Sequence, residues 1–129
     1  MQKKFWIYDG GPQYVNLKLP AISSTLGIGH ILFLFLNDGS VWLFASRNPG
    51  KCVSSWSNTA RRYDLHEINH VLVSQPLLFY TSVKKKIEKN IEGYRMEKSG
   101  GYIIDREILV SEAENVFAMA AKPMPDSHG

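Results

Sequence analysis

Apolar side chains fill every position from Ile31 to Leu36, and after Asn37-Asp38-Gly39-Ser40 they resume as Val41-Trp42-Leu43-Phe44. Asp-Gly is the dipeptide that most readily takes the positive φ angles of a two-residue type I′ turn, so this stretch predicts a β-hairpin. Its first arm is apolar on both faces, with Ile31, Phe33 and Phe35 on one side and Leu32, Leu34 and Leu36 on the other. A strand with one face in water alternates. This arm is therefore expected to be covered twice, by a helix and by either the chain's own tail or a second subunit.

The flanking pattern is less uniform. Phe5–Tyr8 reads as a short strand closed by the turn cluster Asp9-Gly10-Gly11-Pro12, and Tyr14–Leu19 alternates as a second strand ended by Pro20. Residues 21–29 read as a loop. After a turn at Ser46-Arg47-Asn48-Pro49-Gly50, Lys51–Trp56 and Arg61–Leu65 read as a second pair of strands. The rival reading is a helix capped by Asn58 or Thr59 and running to Val73, with Leu65, Ile68 and Val71 at helical spacing. From Pro76 the three- and four-residue steps of Tyr80, Val83, Ile87, Ile91 and Tyr94 predict an amphipathic helix to Tyr94. Lys84, Lys85, Lys86 and Lys89 lie mainly off that stripe, as a solvated face would. Ser99-Gly100-Gly101 breaks the chain, Tyr102–Val110 reads as one more strand, and Ser111 with Glu114 forms a capping box for a short final helix. The expected fold class is α+β: an antiparallel meander of about six strands packed by one long helix, with a short C-terminal strand and helix. Residues 1–121 form one domain and 122–129 a tail or linker.

Composition adds bounds. The 129 residues carry 15 Lys and Arg against 12 Asp and Glu, a net charge of +3 that makes nucleic acid an unlikely partner. The longest apolar run falls far short of the ~20 residues of a membrane span. A single cysteine, Cys52, leaves no disulfide framework and points to a reducing intracellular compartment, cytoplasm or nucleus.

Two patterns carry candidate chemistry. His66-Glu67-Ile68-Asn69-His70 fits HExxH, which on a helix places two histidines on one face to ligate zinc while Glu67 polarises the bound water. Glu88 or Glu92 is the candidate third ligand, and the activity would be that of a small metallopeptidase. Cys52 with His30 would make a thiolate–imidazole pair, but Cys52 lies among strand-like residues rather than at a helix start, so a buried small hydrophobe is the preferred reading.

The order of elements also resembles a polo box, the regulatory module of polo-like kinases. The resemblance rests on Leu34-Phe35-Leu36-Asn37-Asp38-Gly39-Ser40, on the strand pair Lys51–Trp56 and Arg61–Leu65, and on the helix Leu77–Tyr94, and it spans roughly residues 26–95. It implies a sheet crossed by one helix and used for protein binding. The His-x-Lys pair of phosphopeptide-reading boxes falls on Pro49 and Lys51, so the histidine is lost, and reading of a phosphopeptide is doubtful. Divergent single boxes, described as dimerising or docking a partner helix, are the nearer comparison. The sequence thus favours a non-catalytic interaction module without cofactor, binding a protein partner or its own copy through Phe33, Phe35, Trp42, Phe44, Lys51 and Trp56. The alternatives are the zinc peptidase and a basic nucleic-acid-binding or nuclease fragment.

Overall fold

The computed structural model describes residues 5–15, 19, 27–97 and 100–120. Strands β1 (Trp6–Gly10), β2 (Ile28–Leu36) and β3 (Val41–Ser46) are followed by helix α1 (Pro49–Tyr63), then by β4 (Ile68–Ser74) and the two-residue β5 (Leu77–Leu78), and last by helices α2 (Tyr80–Asn90) and α3 (Arg106–Ala120). The sheet is antiparallel in the order β1-β4-β2-β3, with β5 pairing the start of β2. The fold is α+β.

β2 sits between two neighbours, and its continuous apolar run follows from cover on both faces. Ile31 and Phe33 enter one core with Val41, Leu43, Val83, Ile87, Leu109 and Phe117, under α2 and α3. Leu32, Leu34 and Leu36 enter the other with Val53, Val71 and Val73, under α1. The cover expected from a tail or a second subunit comes from this chain's own helices. Burial of each large side chain contributes on the order of 1.5–3 kcal/mol, and β2 places Ile31, Phe33, Leu32, Leu34 and Leu36 in the two cores.

The hairpin is present with a different turn. The N–H of Gly39 reaches Leu36 O at 3.1 Å and the N–H of Leu36 reaches Ser40 O at 2.9 Å. Gly39 alone takes a positive φ, 88°, and Asp38 does not, which excludes type I′. Asp38 Oδ1 instead accepts the Ser40 N–H at 2.9 Å and its hydroxyl at 2.6 Å.

The meander and its second strand pair are overturned. Residues 49–63 are a helix, started by Asn48, whose side chain accepts the Lys51 N–H at 3.0 Å, and by Pro49 in the first turn. Val53 and Ala60 are buried and Trp56 half-buried, one side of a helix that short strand alternation had masked. Asp64 at φ 57° then ends it in the left-handed region, short of the helix to Val73 that the rival reading supposed. These two lost strands were one of the three features on which the polo-box resemblance rests. The chain returns through β4 to the middle of the sheet, so consecutive strands are not neighbours throughout.

Two further boundaries move. The helix expected from Pro76 begins at Tyr80, after β5 and after Phe79 at φ 54°, and a 3-10 turn at Glu92–Tyr94 follows it. The strand expected over 102–110 shrinks to Tyr102, which bridges Val41 and Arg95, and the last helix starts at Arg106 rather than at Ser111. Its buried positions Leu109, Ala113, Val116 and Phe117 set that start, since Leu109 already belongs to the stripe. In the expected strand Tyr14–Leu19, Tyr14 ends a 3-10 turn and Val15 is helical, while residues 16–18 lie outside the described residues. Residues 21–26 of the loop and the tail 122–129 also lie outside them.

Candidate functional site

The HExxH string does not form a helical face. His66 and Glu67 precede β4 and His70 lies within it. In extended chain, positions four apart are separated by about 13 Å. Each histidine also has its own carboxylate: His66 Nε2 lies 3.7 Å from Asp38 Oδ2, and His70 Nε2 donates to Asp9 Oδ1. Glu88 is elsewhere, paired with Lys84 at 2.7 Å. Among the described residues no three His, Cys, Asp or Glu side chains gather as a metal-ligand set, so the donors named for zinc are dispersed.

The thiol pair is not formed either. Burial pushes the Cys52 thiol up to about 11, away from thiolate chemistry. His30 is buried and donates its Nδ1–H to Ser74 O at 2.7 Å, and burial lowers its pKa despite that bond. Cys52 packs against the α1-side core, as a small hydrophobe does.

The six binding candidates separate. Phe33 is fully buried. Phe35 is half-buried beneath Arg106, whose guanidinium stands 5.4 Å from the ring centroid. Trp42, Phe44 and Trp56, by contrast, are brought together. The Trp42 and Trp56 centroids are 5.0 Å apart and those of Phe44 and Trp56 6.3 Å, all three rings half-buried on the α1 side of β3. Trp56 Nε1–H donates to His66 O at 3.2 Å, which fixes its ring. Lys51 is exposed at the first turn of α1.

A cleft of about 350 Å³ runs along the β3 edge beside this cluster. Trp42, Leu43 and Phe44 line it from the strand, Lys84 and Glu88 from α2, and Glu92, Arg95, Gly100 and Tyr102 from the segment that follows. Tyr102 closes one end by exchanging both backbone hydrogen bonds with Val41, each 2.8 Å. Burial, with the Glu88 and Glu92 charges nearby, pushes its hydroxyl pKa up, so it stays a neutral donor. Arg95 lies 3.5 Å from Glu92. Gly101 makes room for the tryptophan: a Cβ there would meet Trp42 Nε1 at 2.6 Å.

Sequence reasoning read Gly100-Gly101 as a break and missed this packing role. It also missed how charge divides among the helices. α1 holds Lys51, Arg61 and Arg62, all exposed, and no acidic residue. α2, which lies against β2 and β3, holds Lys84, Lys85, Lys86 and Lys89 against Glu88 alone. α3 reverses the balance, with Arg106 against Glu107, Glu112 and Glu114. The signal was available in the sequence, but only once 49–63 is seen as a helix do Lys51, Arg61 and Arg62 share one element.

No described helix is long and apolar enough to cross a membrane. In a comparison with known proteins, no family model, no curated protein and no solved structure matches the chain.

Proposed function

We propose that the protein binds single-stranded nucleic acid along the β3 edge, with bases on the Trp42–Phe44–Trp56 cluster and phosphates held by Arg95 and by the cations of α1 and α2. The observation that carries this reading is the position of a half-buried aromatic cluster beside the cleft that α2 lines and α1 flanks, these being the two helices with a surplus of cations. Aromatic faces accept any base, and cations that track the backbone supply the affinity and its salt dependence. Glu88 and Glu92 hold Lys84 and Arg95 at the cleft. A free, unreactive thiol at Cys52 suits a reducing compartment, cytoplasm or nucleus.

Docking of a protein partner or a second copy through the arm Ile31–Leu36 has less to stand on, because Ile31, Phe33 and the three leucines are sealed inside the chain. The test is fluorescence anisotropy of a short labelled DNA or RNA strand across a salt series. Log affinity falls linearly with log salt, Trp42→Ala costs about 1–3 kcal/mol, and Lys51→Glu with Arg62→Glu flattens the slope. The reading fails if no binding appears at low salt, or if these substitutions leave it unchanged. An intact labelled strand afterwards separates binding from the nuclease alternative.

A further inference from the structure

At the other edge of the sheet a second cleft, about 560 Å³, opens between α3 and the β1–β4 pair. Its apolar lining is Trp6, Leu72 and Val110. Its one cation among the described residues, Arg106, is already engaged: the guanidinium lies 3.3 Å from both carboxylate oxygens of Asp9 and over the Phe35 ring. That leaves two carboxylates facing the cleft with no cationic partner among the described residues. Glu107 is exposed, and Glu114 accepts the Trp6 Nε1–H at 2.8 Å through one oxygen. They stand seven residues apart on α3, two turns or about 10 Å along one helix face, with Val110 between them.

We infer that this cleft binds a linear polyamine, its ammonium groups at Glu107 and Glu114 and its methylene stem along Val110, Leu72 and the Trp6 ring. Anions meet an excess of carboxylates here, and a compact cation reaches only one of the two. An extended chain with separated positive charges satisfies both while covering the apolar lining. The Trp6 ring adds a cation–π surface beside Glu114. The protein as a whole is positively charged, so diffuse attraction does not account for polycation binding.

The test is calorimetric and tryptophan-fluorescence titration of the full chain with spermidine, in the absence of nucleic acid, so that it stands apart from the β3-edge reading. Spermidine is expected to bind and shift the tryptophan emission. Glu107→Gln and Glu114→Gln should each weaken binding about fivefold. Glutamine at 114 keeps an acceptor for Trp6 Nε1 and removes only the charge, and circular dichroism verifies the fold. Glu112→Gln, on the same helix but outside the cleft, should leave the affinity unchanged. Absence of spermidine binding, equal weakening by Glu112→Gln, insensitivity to the two cleft substitutions, or binding of butylamine as tight as that of spermidine each overturns the inference.

Discussion

At the β3 edge, α1 and α2 carry seven basic residues and one acidic residue between them, with Trp56 of α1 in the aromatic cluster and Lys84 and Glu88 of α2 lining the cleft beside it. At the β1–β4 edge, α3 brings two carboxylates, Glu107 and Glu114, and one arginine to a cleft beside the Trp6 indole. Both edges hang on the same central strand, and both combine tryptophan with unevenly distributed charge. A net charge of +3 averages two opposite fields and describes neither. The charge carried by each helix, once its packing is known, is the quantity that says what each edge can hold.

The shared support is the first place to break that comparison. Phe33 is fully buried on β2, and its ring lies 5.2 Å from that of Trp6, so it braces the acidic edge while its strand carries β3 on the other side. Phe33→Ala is expected to cost about 3–5 kcal/mol by denaturant unfolding and to weaken both edges together. Gly101→Ala is the selective disruption. The new Cβ meets the Trp42 indole at 2.6 Å, and the ring must shift at a cost of about 1–3 kcal/mol. Tryptophan emission should change and nucleic-acid affinity fall, while spermidine affinity stays the same.

The smallest effect belongs to Asp9→Asn. Burial alone would raise this carboxyl, but the hydrogen bond from His70 and the Arg106 and His70 charges outweigh it and hold its pKa below the usual range. The folded value being the lower one, the group's stabilisation is present above the ordinary carboxylate pKa and is lost as the pH falls through the depressed value. Asp9 is more than half exposed, so solvent screening keeps the contribution small. A wild-type advantage in melting temperature near neutral pH that vanishes in acid is the expected result. A pH-independent difference would mean that the side chain acts by packing alone.

Legibility followed the locality of each signal. The hairpin was readable because Ile31–Leu36 and Asp38-Gly39 are adjacent, and the need for cover on both faces followed from the same residues. The helix at 49–63 was hidden although Asn48-Pro49 is a regular helix start, because Cys52, Ser54 and Trp56 also alternate as a strand would. β4 was missed for a related reason: Ile68 and Val71 fit helical spacing as well as they fit a strand buried on both faces. Trp42, Phe44 and Trp56 were identified individually. Their convergence depended on α1 crossing β3, and the acidic cleft depended on α3 starting at Arg106, so neither site was readable from spacing.

The strand order also bears on how the chain assembles. β2 and β3 close through a short turn, whereas β1 pairs with β4 across roughly sixty residues, and β4 must enter between β1 and β2. During synthesis the hairpin can form early from local contacts, while the inner edge of β2 stays open until residue 74 has emerged. In that interval the most apolar strand of the protein offers an unpaired backbone edge to any neighbouring chain. Insertion of β4 is then the step that ends the hazard, and chains truncated within residues 64–74 should aggregate rather than remain as soluble hairpins.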